Sequence, residues 1–228
     1  SYPPALFRKL TRGLIDSKMG IAWTTHMRFE KSLLEDQVWQ DAKASGCKYL
    51  HFGYESGNER VLKLMDKATT TEIMTKHLKY TAEAGIWNHC MGFFGFPGET
   101  REEAWSSVEF LEQNKDYVHS LGFGTFDLGR HNPVAKHPEK FGVTAYKNPE
   151  WDLALDYYFT VKQGLSIEEA ERVFEEFERN HNPGWDLRLF IREYIFLYIA
   201  QFGLQKLPDL QFRSAKVATV PPSLAGKM

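Results

Sequence analysis

The sequence has little cysteine and no excess of charge of either sign. Only Cys47 and Cys90 occur among its 228 residues, too few for a disulfide framework, which favours a reducing, cytoplasmic compartment. The 28 basic residues nearly balance the 30 acidic ones. Because nucleic acids and anionic membranes are usually bound by basic surfaces, this balance gives no reason to expect either partner.

Long apolar runs and targeting signals are also missing. The most apolar stretch, Leu187 to Phe202, contains Arg188, Arg192 and Glu193 and is too short to cross ~30 Å of hydrocarbon. It predicts a buried helix rather than a membrane span. The chain begins Ser-Tyr-Pro-Pro, with no initiator methionine and no signal peptide, so we expect it to be a piece of a longer protein.

Strand-like runs alternate with amphipathic segments over roughly the first 128 residues. Strands are predicted at residues 21–29, 49–55, 90–96 and 121–128, where β-branched and aromatic residues are frequent. Helices are predicted between them, at residues 5–17, 32–46, 69–84 and 101–115. Strands that recur every ~28 to 38 residues fit a βα repeat. The sequence therefore predicts an α/β fold with a parallel sheet.

The third predicted strand runs directly into a turn and a helix. Its apolar residues end in Gly-Phe-Pro-Gly-Glu-Thr, residues 95–100, and Thr100 with Glu103 forms a capping box. In α/β proteins, turns at the carboxyl ends of strands carry the ligand site. We expect the Glu99 carboxylate to accept hydrogen bonds from backbone N–H groups at the helix start rather than to be catalytic.

The second predicted strand ends in Glu55 and Ser56. A carboxylate at a strand end suits the two hydroxyls of a ribose, because it accepts two hydrogen bonds. A solvated strand end or a salt bridge is the alternative for Glu55. Ser56 either binds the same ligand or begins a helix, since it forms a capping box with Glu59.

Two cations stand near these strand ends in the predicted arrangement. Arg28 follows the first strand, and its bidentate fork suits an amino-acid carboxylate; an ion pair with Glu30 or Glu55 is the alternative. Lys67 follows the short helix predicted after Ser56 and is expected to meet the same carboxylate as a point charge. An ordinary surface lysine is the alternative there.

Two segments carry a resemblance to a known family. Residues 53–67, GYESGNERVLKLMDK, and residues 85–100, which end in GFFGFPGET, resemble the radical S-adenosylmethionine enzymes. The resemblance is to the subgroup that often has an N-terminal cobalamin-binding domain. It covers roughly residues 1–142, including a loop from His131 to Val143. It implies a partial TIM-like (β/α) barrel over residues 1–147, followed by a helical C-terminal region over residues 148–228.

The resemblance also implies cofactors and roles. S-adenosylmethionine is the expected ligand of Glu55, Ser56, Arg28 and Lys67, and cobalamin is expected only through a separate domain. The rings of Phe94 and Phe96 are placed by the family against adenine, although aromatic residues in an apolar strand are often ordinary core. Dispersed histidines and cysteines lack metal-ligand spacing, so no metal site is predicted within the chain.

One departure from the family pattern concerns the four-iron cluster. The family holds this cluster through CxxxCxxC after its first barrel strand, and the chain has no such triad. The strand at residues 21–29 is then similar to the third of six barrel strands. We expect the missing N-terminal part of the barrel, or a partner chain, to cover its free edge.

Two functions are compatible with this pattern. The first is part of an enzyme that cleaves S-adenosylmethionine to a 5′-deoxyadenosyl radical, with cobalamin-dependent methyl transfer possible, and that is inactive as this chain alone. The second is a non-catalytic partial barrel that binds a nucleoside-like ligand or a partner protein through its open edge.

Overall fold

A four-stranded parallel sheet forms the centre of the molecule. The computed structural model describes residues 3–146, 155–180 and 192–203. The strands lie in chain order: β1 (Trp23–Met27), β2 (Cys47–Glu55), β3 (Trp87–Phe94) and β4 (Ser120–Thr125). All three neighbouring pairs are parallel. The predicted α/β fold and parallel sheet are therefore confirmed.

Five helices pack on one face of the sheet; the first precedes β1 and the other four connect the strands. They are α1 (Pro4–Ser17), α2 (Asp36–Ala44), α3 (Glu59–Leu64), α4 (Thr71–Glu83) and α5 (Arg101–Gln113), with a 3₁₀ turn at Lys31–Leu33. Alternate residues of β2, namely Leu50, Phe52 and Tyr54, are fully buried in one core with residues from all five helices. Burial of this apolar surface is the main force that holds the layers together.

The opposite face of the sheet, here called the inner face, bears a row of histidines. His26, His51, His89 and Ser120 are register partners across the four strands. The rings of His26 and His51 stack with centroids 4.4 Å apart, and His89 Nδ1 lies 2.7 Å from Ser120 Oγ. Because side chains alternate along a strand, the inner face also carries Gly53.

The sheet has a free edge at β1 within the described residues. Strand β1 pairs only with β2, and Leu6, Met19 and Ile21 are exposed large apolar residues near it in the chain. Unpaired strand edges invite pairing with another chain. The prediction that a further segment or partner covers this edge agrees with these exposures and stays a prediction.

A second, antiparallel sheet follows β4. It consists of β5 (Leu128–Gly129), β6 (Val143–Tyr146) and β7 (Asp156–Val161), in the order β5-β7-β6. Helix α6 (Pro133–Lys136) and a 3₁₀ turn at Pro138–Phe141 lie between β5 and β6. The sequence pattern indicates a loop in this region, which the structure shows to contain these elements. The strands are short and pair only through long-range contacts, so local patterns do not reveal them.

Two further helices complete the described chain. Helix α7 (Ile167–Asn180) buries Ala170, Val173 and Phe177 in one cluster with residues of β3 and α5. Helix α8 (Arg192–Phe202) lies near β2 and buries Ile199. Among the helices described, none has both the length and the apolar character needed to cross a bilayer.

The predicted division at residues 147 and 148 falls outside the described residues and stays a prediction. Strands β6 and β7, on either side of it, pair with each other. Residues 187–191 of the predicted C-terminal helix and the tail from residue 204 also lie outside the described residues.

Candidate ligand-binding site

Glu55 ends β2 in an unusual backbone conformation. Its φ is +63°, in the left-handed region that costs an L-residue roughly 1–2 kcal/mol. The register with β3 shifts between Gly53 and Glu55, so the strand end is bulged. The carboxylate folds back over Gly53, where an added Cβ would lie 2.9 Å from Glu55 Oε1. A glycine at position 53 therefore gives the carboxylate its place on the inner face.

Lys67 pairs with this carboxylate. Its Nζ donates to Glu55 Oε1 at 2.9 Å, and both side chains are partly buried. The salt-bridge alternative for Glu55 is thus present, with Lys67 as partner rather than Arg28. The prediction that Lys67 binds a ligand carboxylate stays a prediction. In the structure, the carboxylate bound by Lys67 is that of Glu55.

Helix α3 joins these two residues through a second left-handed position. Asn58 begins the helix, since its side chain accepts hydrogen bonds from the backbone N–H groups of Arg60 and Val61. After the helix, Asp66 has a φ of +55°, and Lys67 N donates to Leu62 O at 2.9 Å. This 6→1 bond is typical of a Schellman motif. The chain is turned back so that Lys67 reaches Glu55.

Ser56 lies in the protein interior and is bound to α5. It is fully buried, its Oγ lies 3.0 Å from Ser107 Oγ, and it accepts a hydrogen bond from Asn58 N at 3.1 Å. The predicted capping box of Ser56 with Glu59 does not form. Asn58 is the N-cap of α3, and the Glu59 carboxylate accepts a hydrogen bond from Thr71 N. The geometry favours a structural role for Ser56.

The two sequence segments are fastened to each other through α5. Tyr54 Oη donates to Ser107 O at 2.7 Å and Gly57 N donates to Ser107 Oγ at 2.9 Å. Arg60 forms two hydrogen bonds with the carboxylate of Glu103 and donates to Gly98 O at 2.6 Å. The Arg60 guanidinium holds the pKa of Glu103 below its usual value. The strand end that carries Glu55 is therefore held rigidly.

The turn after β3 is built around a buried carboxyl group. Gly95 and Gly98 have φ of +85° and +88°, which suits glycine. Glu99 is fully buried and its Oε2 accepts from Gly95 N at 2.6 Å, while its Oε1 has no hydrogen-bond partner in the described part of the chain. Burial raises the pKa of Glu99 to about 7. Its donor lies in the turn, not in the first turn of α5 as predicted, whereas the Thr100–Glu103 capping box is confirmed.

Arg28 remains available near the strand ends. It is exposed, and with the described residues it forms no ion pair. It follows β1, and because it is two residues beyond His26 it continues the inner face. Extending the register in which Met27 pairs with Phe52 puts Arg28 opposite Gly53. The ion pairs of Arg28 with Glu30 or Glu55, considered from the sequence, do not form.

The strand ends on the inner face form a polar ledge, defined here as Arg28, Gly53, Glu55, Lys67 and Gly124. Gly124 comes two residues after Gly122, on the same face of β4. A Cβ added at Gly124 would meet nothing within 4 Å. The ledge thus combines an open glycine floor with one carboxylate and with a guanidinium that has no ion-pair partner among the described residues. This combination suits a small ligand with hydroxyl and carboxylate groups.

Phe94 and Phe96, which were expected to contact an adenine ring, are both buried in the protein core. Phe94 is fully buried, with its ring centroid 5.2 Å from that of Phe123 in β4 and 5.7 Å from that of Phe177 in α7. Phe96 packs edge-on against Phe126 and Phe141 and is also buried. Neither ring belongs to the ledge, and the expectation that they contact an adenine ring stays a prediction.

Phe93, which was not predicted as a site residue, is the aromatic residue nearest the carboxyl end of β3 on the inner face. It is only partly buried and contacts Phe96 and Phe126. Strand alternation from the buried Cys90 could have identified it, because residues 91 and 93 must then lie on the other face.

The two cysteines do not fit an iron–sulfur cluster. Cys47 begins β2 and Cys90 lies within β3, and both are fully buried in the helix-covered core. Burial raises the pKa of Cys47 to about 12 and also raises that of Cys90, whereas cluster ligands are thiolates. In the ranges 3–146, 155–180 and 192–203, no three histidine, cysteine or acidic residues are grouped to hold a metal ion.

Comparison with known protein families finds a match over the first half of the chain. Residues 5–111, which include β1 to β3, Glu55 and the turn of Glu99, match the radical SAM superfamily. This segment is therefore similar to radical SAM proteins.

Relatives of this radical SAM segment include methyltransferases. An uncharacterized methyltransferase of Pyrococcus horikoshii is 31% identical over 97 residues, 42% of this chain and 20% of its own length. The cytidylyl-2-hydroxyethylphosphonate methyltransferase of Streptomyces wedmorensis is 27% identical over 181 residues, 74% of this chain and 33% of its own. The chain thus spans a third or less of the length of these relatives.

A solved structure has the same fold. The radical S-adenosylmethionine methyltransferase TsrM from Kitasatospora setae, with cobalamin and a 4Fe–4S cluster bound, superposes with a TM-score of 0.54 at 17% identity. The match covers 75% of this chain and 35% of TsrM. At this identity the likeness concerns the fold alone, and it agrees with a TIM-like (β/α) arrangement of the parallel sheet.

Proposed function

We propose that this chain supplies the S-adenosylmethionine-binding strand ends of a radical SAM methyltransferase. The observation that carries the proposal is the carboxylate of Glu55, held over Gly53 at the end of β2 and presented on the inner face. The superfamily match of residues 5–111 and the methyltransferase relatives support the ligand class.

The residues of the ledge would divide the ligand between them. Glu55 would accept hydrogen bonds from the two ribose hydroxyls, because a carboxylate offers lone pairs to both. Arg28, which pairs with no described carboxylate, would bind the amino-acid carboxylate through its fork. The floor at Gly53 and Gly124 lets the ligand approach the backbone closely.

Cleavage of S-adenosylmethionine would need groups that this chain does not offer. A site-differentiated cluster takes three thiolates, and the chain has two buried cysteines in separate strands. We therefore propose that cysteines from outside this chain complete the enzyme and that the chain alone is inactive. Cobalamin, which the TsrM structure contains, would likewise be held by a separate domain.

Calorimetric titration with S-adenosylmethionine tests the proposal. We expect weak binding to the unaltered chain, since part of the contact set is missing, and about tenfold weaker binding to Glu55→Ala, since charge-assisted hydrogen bonds contribute roughly 1.5–3 kcal/mol. Glu112→Ala, which removes an exposed carboxylate on α5, is the matched control and should bind like the unaltered chain. Identical heats from all three proteins would remove Glu55 from the site.

A further inference from the structure

We infer that Lys67 is a positioning residue that holds the Glu55 carboxylate in place for the nucleoside part of the ligand. This inference rests on the proposed function. Lys67 Nζ binds Oε1 of Glu55 at 2.9 Å, so the other oxygen, Oε2, with its two lone pairs, is left for the ribose hydroxyls. A single cation thus fixes the direction of the carboxylate without occupying both of its oxygens.

The backbone on both sides of α3 supports this role. Among the described residues only Lys18, Glu55 and Asp66 have a positive φ without being glycine, and two of these lie on either side of α3, at Glu55 and at Asp66. The strained position at Glu55 aims its side chain back over Gly53, and the one at Asp66 returns Lys67 to meet it. Strained residues of this kind persist where the surrounding structure determines them and cluster at functional sites.

The alternative is that Lys67 contacts the amino-acid carboxylate of the ligand directly. In the structure its ammonium already has a carboxylate partner, whereas Arg28 has none among the described residues. Moving Lys67 to the ligand would leave Glu55, which is partly buried, without its cation. In this arrangement, Arg28 binds the amino-acid carboxylate of the ligand and Lys67 stays paired with Glu55.

Two probes distinguish these roles. S-adenosylhomocysteine contains the nucleoside and the amino-acid group, while 5′-methylthioadenosine contains only the nucleoside. We expect Lys67→Met to weaken binding of both probes by the same factor, about fivefold, because a partly exposed ion pair contributes up to roughly 1 kcal/mol. Lys67→Arg should restore both affinities, since it keeps a cation at the same position. By contrast, Arg28→Met should weaken binding of S-adenosylhomocysteine alone.

A double-mutant cycle supplies a second readout. In a Glu55→Gln background, Lys67→Met should have no further effect on either probe, because the charge that Lys67 orients is gone. Lys63→Met is the matched control, since Lys63 lies exposed on α3, and it should leave both affinities unchanged. Loss of S-adenosylhomocysteine affinity alone in Lys67→Met, or additive effects in the cycle, would overturn the inference. Failure of the unaltered chain to bind either probe would instead overturn the proposed function, and the inference with it.

Discussion

Replacing Gly57 by alanine tests how firmly the strand end of Glu55 is fastened to α5. An alanine Cβ at position 57 would lie 2.3 Å from Tyr54 Oη, 2.7 Å from Phe110 Cβ and 3.0 Å from Ser107 Cα. The last contact is with helix backbone, so the loop itself must move away. Moving it would strain or break the hydrogen bonds that Tyr54 Oη and Gly57 N donate to Ser107.

The expected loss of stability follows from these contacts. Overpacking in a close-packed region costs roughly 1–3 kcal/mol, and each weakened hydrogen bond adds roughly 0.5–1.5 kcal/mol. We expect Gly57→Ala to lower the free energy of unfolding by about 2–4 kcal/mol, a large fraction of the ~5–15 kcal/mol by which domains are stable. Urea denaturation followed by circular dichroism measures this change.

Gly13→Ala is the control for the substitution itself. Gly13 lies within α1 and an added Cβ would meet nothing within 4 Å. Alanine is the better helix former there by roughly 0.5–1 kcal/mol, so this variant should be more stable than the unaltered chain. If the free energy of unfolding of Gly57→Ala lay within about 0.5 kcal/mol of that of the unaltered chain, the difference would be no larger than the error of such comparisons. The tight packing of the strand end against α5 would then be refuted.

Two further predictions concern protons and iron. The pKa of Glu99 is raised from 4.5 to about 7, so the folded state holds this proton more tightly than the unfolded state and loses about 3 kcal/mol of stability as the pH rises from below 4.5 through 7. Urea unfolding from pH 4.5 to 8.5 should show this fall in the unaltered chain but a flatter profile in Glu99→Gln, and parallel profiles would contradict it. Anaerobic reconstitution with iron and sulfide should leave the chain nearly colourless; a stoichiometric brown chromophore with a four-iron spectrum would contradict the absence of a cluster site within it.

Local patterns predicted the repeating part of the fold well. Each βα unit keeps its strand and helix close in the chain, so periodicity and turn residues suffice to place β1 to β4. The antiparallel sheet at residues 128–161 was missed because its pairing is long-range and β5 has only two residues. Residues of its three strands pack in one core with Phe96, Phe126 and Phe141. These contacts join distant parts of the chain, so no local sequence pattern predicts them.

The site was predicted in its residues more than in their contacts. Glu55 and Arg28 are found at strand ends, as their place in the sequence indicates. Asn58 rather than Ser56 is the N-cap of α3. The hydroxyl of Ser56 instead forms a hydrogen bond with that of Ser107, which lies 51 residues further along the chain. The partnership of Lys67 with Glu55 likewise depends on the turn at Asp66, and only the folded backbone reveals it.

The left-handed backbone at Glu55 sets protein stability against ligand binding. A glycine at position 55 would adopt the same φ without a Cβ clash, so a thermostability screen or a consensus of tolerated residues would tend to select it. Such a protein would fold more readily and would have lost the carboxylate on which the proposed site depends. Engineering of this scaffold should therefore exclude position 55 from stability optimisation and seek its gains at sites such as Gly13.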